Sequence, residues 1–161
     1  MIMNTKAIII GLFIYLITVQ VVNGADWVFY ASDSYGNNLY YDRESIINVS
    51  KDVKRVWKKT VYSDEGRSLL ISSFKKNFEE SFEERAFLAR KGLQNLSHTI
   101  TLWEINCGTR EMCLLSSTYY DQNGHVLIDS LSDGKLCVFI VPGTLGEVLF
   151  KAVCSMKSRG K

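Results

Sequence analysis

The amino-acid sequence predicts an α+β domain: a mainly antiparallel β-sheet with a central amphipathic helix and a C-terminal helix packed on the sheet, closed by disulfide bonds. Three observations predict it. Short runs of β-branched and aromatic residues alternate with turns rich in Asn, Asp and Gly. Apolar residues recur at helical spacing in two later segments. An even number of cysteines, four, follows what reads as an export signal.

The first 24 residues have the three-part pattern of a secretory signal peptide. Lys6 precedes an apolar run over 7–22, and the small residue Gly24 closes the segment. Two polar residues interrupt the run, which is shorter than the roughly 20 residues that span a bilayer. We therefore predict cleavage after Gly24, a single domain over 25–161, and no membrane span in the mature form.

Charge bears on the class of partner. The formal net charge is +2 at pH 7, and one positive charge leaves with Lys6. A nucleic-acid binder needs a concentrated basic face, because its affinity comes largely from counterion release. The basic segment at 157–161 is short. We expect no nucleic-acid partner.

The first strands are predicted at 27–30 and 39–41, joined by a turn at 32–38 whose residues bond their own backbone or tolerate positive φ. Residues 53–62 also suit a helical face, but their β-branched and aromatic content favours a strand with lysines on its wet face. A turn is predicted at 63–67.

Two segments predict helices. From Phe74 to Leu93, apolar residues recur every three or four positions between charged ones, and Gly92 suits the exit. This phenylalanine stripe indicates core packing. Near the end of the chain, Thr144 and Glu147 form a capping box that starts a helix. The apolar face of this helix comprises Leu145, Val148, Leu149, Ala152 and Val153.

Between these helices the sequence predicts four strands. Residues 98–107 and 112–120 form a hairpin around 108–111. Asn123-Gly124 is a strong hairpin signal, and a strand over 125–129 follows it. A turn at 133–134 then precedes a strand over 136–141.

The cysteines favour disulfides because the chain reads as exported. With a four-residue loop at 108–111, Cys107 and Cys113 point to opposite faces and cannot bond each other. Cys107 would then pair with Cys137 or Cys154. A five-residue loop would place Cys107 and Cys113 on one face and reopen that pairing.

Few residues suggest catalysis. The sequence has no Gly-x-Ser-x-Gly elbow, phosphate-binding glycine loop, HExxH site or calcium loop. The histidines His98 and His125 are the candidate bases, and Glu104 with Asp121 could form a carboxylate pair. Cysteine and histidine spacings do not match a zinc site, so no metal and no cofactor is expected. A small exported hydrolase and an envelope structural protein remain the alternatives to a binding domain.

Tyrosines are abundant, and Tyr-Tyr-Asp occurs at 40–42 and at 119–121. Tyrosine is enriched at protein interfaces, since its rigid ring with a polar tip loses little entropy on binding. It also packs well in sheets, and both interpretations stay open for this set. The set comprises Tyr30, Tyr35, Tyr40, Tyr41, Tyr62, Tyr119 and Tyr120.

Seven blocks, in order along the chain, resemble the surface-adhesin protein E family of Gram-negative bacteria. They are residues 27–31 (WVFYA), 40–46 (YYDRESI), 56–66 (VWKKTVYSDEG), 102–107 (LWEINC), 119–121 (YYD), 141–147 (VPGTLGE) and 151–154 (KAVC).

The resemblance implies an antiparallel sheet with a C-terminal helix, and a bond between Cys107 and Cys154. Cys113 and Cys137 would then form a second pair outside the family pattern. The named adhesin of the family binds host matrix proteins such as vitronectin and laminin and forms a dimer. The resemblance thus implies a non-enzymatic, surface-adhesin-like protein-binding domain. Its partner would be a matrix or envelope protein, with a homodimer as one expected assembly, and its location periplasmic, cell-surface or secreted. No ligand-binding residue follows from the resemblance.

Overall fold

The computed structural model describes residues 24–77 and 92–156. Seven strands of this part form one antiparallel sheet in the order β1-β2-β4-β5-β6-β7, with the short β3 paired to β4. The antiparallel α+β class predicted from the sequence is confirmed. The strands are β1 (Trp27–Ser32), β2 (Asn38–Asp42), β3 (Ile47–Asn48), β4 (Val53–Val61), β5 (Leu96–Asn106), β6 (Glu111–Asp121) and β7 (Val126–Phe139). The helices are α1 (Asp64–Asn77) and α2 (Leu145–Cys154), with 3₁₀ turns at Arg43–Ser45 and Leu93–Asn95.

The strand register assigns each residue to one of two faces, because directly paired residues point to the same side of a sheet. Lys58 lies between Tyr41 of β2 and Thr101 of β5 on one face. The next residue, Lys59, lies between Tyr40 and Ile100 on the opposite face. Both described helices pack on the Lys58 side, which we call the covered face; no helix of the described residues packs on the Lys59 side, which we call the open face.

Two separate apolar clusters hold the helices on the covered face. Under α2, Leu149 and Val153 pack with Val56 and Ile105, all at most 1% exposed. Under α1, Phe74 packs against a second cluster. The buried members of that second cluster are Leu93, Leu96 and Leu127. Each helix therefore covers its own end of the sheet.

The C-terminal end of α2 is fixed by a covalent bond and by a buried cation. Cys107, in the β5–β6 loop, is bonded to Cys154 with a Cα–Cα distance of 5.8 Å. The Lys54 side chain of β4 donates from Nζ to the carbonyl oxygens of Val153 (3.0 Å) and Met156 (2.6 Å). Lys54 is 8% exposed. A cation here satisfies carbonyls that have no partner within the helix and complements the negative end of the helix dipole.

The start of α2 follows the predicted cap with one difference. Thr144 is the N-cap, and its Oγ1 accepts from the Glu147 backbone N–H at 3.4 Å. The Glu147 carboxylate accepts from the Gly143 N–H at 2.9 Å instead of from Thr144, and also from Arg110 at 3.1 Å. The reciprocal contact of a capping box is thus displaced by one residue.

The central helix begins ten residues earlier than predicted. Residues 63–67, predicted as a turn, contain the start of α1 at Asp64, because the Ser63 hydroxyl accepts from the Gly66 N–H (2.9 Å) and caps the first turn. Leu93 belongs to a 3₁₀ turn that follows Gly92, whose φ is +68°. Most of the predicted helix, 78–91, lies outside the described residues.

Two further boundaries were wrong. The β5–β6 loop is 107–110 and not 108–111, since Asn106 pairs with Glu111. The loop still has four residues, so the argument that Cys107 and Cys113 point to opposite faces holds. The predicted turn at 133–134 does not reverse the chain: β7 is one strand whose two halves both pair with β6. The residues of β7 between Leu131 and Leu136 outnumber those of β6 between Leu114 and Ser116, and this difference forms a bulge in β7.

We predict that Lys54→Met lowers the free energy of unfolding by about 2 kcal/mol, because two carbonyls at the end of α2 lose a charged donor. Urea denaturation of the folded domain measures this. Lys51→Met, at an exposed lysine three residues away, is the matched control and should change stability by less than about 0.5 kcal/mol. Equal effects of the two substitutions would mean that Lys54 does not hold the helix.

Candidate protein-binding surface

Two aromatic rings contact one lysine on the open face, and a third ring packs against one of the two. The Nζ atom of Lys59 lies 4.4 Å from the ring centroid of Trp27 and 5.4 Å from that of Tyr40. Phe29 meets Tyr40 edge-on, with 5.7 Å between ring centroids. We call Trp27, Phe29, Tyr40 and Lys59 the aromatic platform. Phe29 is 53% exposed, so the platform reaches solvent.

Strand pairing places these side chains together. Phe29 of β1 pairs with Tyr40 of β2, which pairs with Lys59 of β4. A bulge in β1 between Phe29 and Ala31 changes the alternation. Tyr30 consequently packs into the α2 cluster against Tyr41, at 6.2 Å between ring centroids. Phe29 and Tyr30, which are adjacent in β1, therefore lie on opposite faces of the sheet.

The ammonium group of Lys59 contacts aromatic rings and no carboxylate of the described residues. Among the described residues it makes no ion pair, and burial against its neighbours lowers its pKa. A cation over an aromatic face is attracted by the ring quadrupole, and the attraction strengthens as water is removed. Lys59 thus presents a positive charge that no carboxylate of the described chain neutralises.

The open face continues from the platform to a second pair of rings. His98 of β5 stacks on Tyr120 of β6, with 4.9 Å between centroids and 6° between planes. Burial, and secondarily the charge of Lys59, lower the pKa of His98, so its imidazole is neutral at neutral pH. Trp57, 36% exposed, lies on the same face of β4. Aromatic rings thus occur on five strands of this face, β1, β2, β4, β5 and β6.

Glu104, one of the residues considered for catalysis, is engaged in an ion-pair network on this face. Its Oε1 accepts from Lys135 Nζ at 2.7 Å, and its Oε2 accepts from Arg55 Nε at 2.9 Å. The hydrogen bond from Lys135, followed by that from Arg55, holds the pKa of Glu104 below its usual range despite partial burial. A carboxyl group held ionised in this way is poorly suited to act as a general acid.

The other candidate catalytic residues do not join Glu104. Asp121 is paired with His125 in the β6–β7 turn, with 3.1 Å between Nδ1 and Oδ2. Desolvation opposes ionisation of Asp121, but hydrogen bonds from His125 and Asn123 keep its pKa below the usual value. Asp121 lies opposite Leu96, eight residues along β5 from Glu104, or roughly 25 Å at the rise of a strand. That separation exceeds the spacing of a glycosidase carboxylate pair.

The tyrosines divide between the two faces of the sheet. Some are exposed, as expected for a binding surface, and others pack in the core. Tyr40 and Tyr120 are on the open face, and Tyr35 is exposed in the β1–β2 turn. The others are packed on the covered face, where burial raises the pKa of Tyr62 to about 12. These packed tyrosines are Tyr30, Tyr41, Tyr62 and Tyr119. The sequence analysis did not identify Trp27, Phe29 and Lys59 as candidates for a binding surface. The signal was present, because these residues alternate along their strands with residues that face the core.

The second disulfide joins Cys113 of β6 to Cys137 of β7, which face each other directly with 4.0 Å between their Cα atoms. The two bonds, Cys107–Cys154 and Cys113–Cys137, are the pairs that the family resemblance implied. Glu111 lies close enough to both sulfur atoms for the three residues to hold a metal ion. Because the sulfurs are bonded to each other, neither is a thiolate that could act as a ligand.

The comparisons with known proteins agree with this architecture. The family model for surface-adhesin protein E matches residues 27–155. The chain belongs to this family. A crystal structure of Haemophilus influenzae protein E (crystal form II) is similar, with a TM-score of 0.51, 13% identity, and coverage of 84% of this chain and 91% of that one. Protein E from non-typeable Haemophilus influenzae gives a TM-score of 0.47 with 12% identity, covering 84% and 79% of the two chains. No curated protein sequence matches.

Membership in the surface-adhesin protein E family confirms the resemblance drawn from the seven sequence blocks. At 13% identity, the structural likeness shows a shared fold and transfers no binding residue. In the described part of the chain, no helix is long and apolar enough to cross a membrane.

Proposed function

We propose that this chain is an exported, non-enzymatic protein-binding domain of the cell envelope, and that the aromatic platform is its contact surface. The observation that carries the proposal is the open face of the sheet. There, Lys59, which forms no ion pair with the described residues, lies over the rings of Trp27 and Tyr40, and Phe29 packs edge-on against Tyr40. Buried aromatic anchors dominate the energetics of protein interfaces.

The proposal extends to processing and location. Removal of residues 1–24 would leave a domain over 25–161. Disulfides persist in oxidising compartments, so the two bonds support a periplasmic, cell-surface or secreted location. Family membership supports an adhesin role, with a matrix or envelope protein as the partner.

The binding role is favoured over the hydrolase alternative by what the candidate catalytic groups contact. Glu104 is bound by Arg55 and Lys135. The Asp121 carboxylate accepts the N–H groups of its own turn in addition to His125. These contacts account for the carboxylates as structural groups.

A second copy of the chain is the partner we propose for the outer edge of β7. Among residues 24–77 and 92–156 this strand ends the sheet, and an edge strand offers unpaired N–H and C=O groups to another strand. Leu136, Val138 and Phe139 are exposed there by 64%, 49% and 75%. An edge that combines apolar side chains with free backbone groups suits a symmetric dimer.

We predict that Phe29→Ala and Lys59→Gln each weaken partner binding at least tenfold, because each removes an anchor of the platform. Biolayer interferometry of the mature domain against vitronectin and laminin, and a pull-down from envelope extract, provide the measurement. Leu69→Ala, at an apolar residue of α1 that is 45% exposed, is the matched control and should leave affinity unchanged. The platform is excluded as the contact surface if all three variants bind like the parent.

We also predict that Phe139→Glu converts a dimer to a monomer, since a charge at the β7 edge opposes apolar pairing. Sedimentation velocity at micromolar concentration measures the assembly. Leu69→Glu, which places the same charge away from the edge, should sediment as the parent does. A parent that sediments as a monomer would contradict the proposed dimer.

A further inference from the structure

A polar cleft lies beside the disulfide that holds α2. Its volume is about 510 Å³, which is within the range of sites for small molecules. Its walls come from β3, from the turn that follows β3, from β4, and from the two bonded residues Cys107 and Cys154. This disulfide therefore borders a space that is large enough for a small molecule.

The cleft has an excess of positive charge. Among the described residues that line it are two lysines, Lys51 and Lys54, and one acid, Asp52. Lys51 is exposed, and it forms no hydrogen bond or ion pair with the described residues. Lys54 is 8% exposed and donates to two carbonyl oxygens, which do not neutralise its charge. The cleft therefore attracts small anions.

The buried charge of Lys54 lies close to one of the two bonded cysteines. Its Nζ atom donates to the carbonyl oxygens of Val153 (3.0 Å) and Met156 (2.6 Å), which bracket Cys154 in the chain. The C-terminal end of a helix opposes a negative charge, and a cation at this position offsets that effect. A nearby lysine also stabilises a thiolate. Cys154 is thus placed to leave as a thiolate when the bond is broken.

The second disulfide has different electrostatic surroundings. The carboxylate of Glu111 and the sulfur atoms of Cys113 and Cys137 all lie within 4.8 Å of one another. A negative charge at this distance repels an incoming thiolate, although Cys137 is exposed. The two disulfides therefore differ in the charge that an approaching thiolate meets.

We propose that the cleft is a site of thiol–disulfide exchange for small anionic thiols, whose carboxylate or sulfonate group pairs with Lys51. The thiolate of the ligand attacks Sγ of Cys107 and forms a new S–S bond with it. The Cys107–Cys154 bond breaks, and its electron pair leaves on Sγ of Cys154, which takes a proton from water. The step needs no reactant besides the thiol.

Exchange would remove the covalent attachment of α2 and leave the helix held by Lys54 and by apolar packing. The exchange site is thus a place where a small molecule can loosen the closed end of the core. The cleft contains no residue of the aromatic platform. The proposal is therefore independent of the proposed protein-binding function.

The test compares two thiols of matched length on the folded mature domain: 2-mercaptoethanesulfonate, which is anionic, and cysteamine, which is cationic. N-ethylmaleimide blocks free thiols after partial exchange, and peptide mapping by mass spectrometry identifies the cysteine that carries the added thiol and the one that is alkylated. For each disulfide, the rate with the anionic thiol is divided by the rate with the cationic thiol. Dividing the quotient for Cys107–Cys154 by that for Cys113–Cys137 gives a selectivity ratio in which the intrinsic reactivity of the two thiols cancels.

We expect a selectivity ratio of at least about 5 at low salt, because one charge pair at contact distance in water changes a rate by about that factor. Salt at about 0.5 M should bring the ratio towards 1 by screening. The added thiol should be on Cys107, with Cys154 alkylated. Lys51→Glu should lower the ratio at least about fivefold. Lys59→Glu, which makes the same change in net charge on the open face, should leave the ratio unchanged.

A selectivity ratio near 1 in the parent protein would overturn the proposal, and this measurement requires no substitution. Equal ratios in the parent and in Lys51→Glu would also overturn it, since the lysine would not select the thiol. Added thiol on Cys154 with alkylation of Cys107 would show that the assigned leaving group is wrong and would overturn the proposed role of Lys54.

Discussion

The attachment of α2 to one end of the sheet is the constraint on which the rest of the structure depends. A helix of ten residues is marginal in water alone and needs its apolar face buried. The Cys107–Cys154 bond and the buried ammonium group of Lys54 both act on its last turn. They hold Leu149 and Val153 over the sheet, where both are buried. The closed core at this end follows from that placement.

Closing one face leaves the other available for binding. Each strand sends alternate residues to the two sides, so adjacent residues meet different environments. Lys58 and Lys59 illustrate this: Lys58 pairs with Tyr41 and Thr101 on the covered face, whereas Lys59 lies over the rings of Trp27 and Tyr40 on the open face. The same alternation sends Tyr41 to the core and Tyr40 to the open face.

Local signals in the sequence predicted much of the fold. Three predictions depended on short-range chemistry, and the structure confirms them. They are the helix cap at Thr144, the strand over 53–62, and a loop after β5 with an even number of residues. The start of α1 was missed because Asp, Glu and Gly in a row are typical of a turn, whereas the Ser63 cap decided the outcome. The bulge of β7 and the platform depend on pairing between distant strands, which no short window contains.

Hydroxyl-radical footprinting of the oxidised and the reduced domain tests most directly whether a tethered helix closes one face and leaves the other open. Met112, which is 8% exposed in the α2 cluster, should be protected in the oxidised protein, while Phe29 and Trp57 are modified. Reduction should expose Met112 as α2 detaches and leave the modification of Phe29 and Trp57 unchanged. Rapid modification of Met112 in the oxidised protein, or protection of Phe29 and Trp57, would contradict the account.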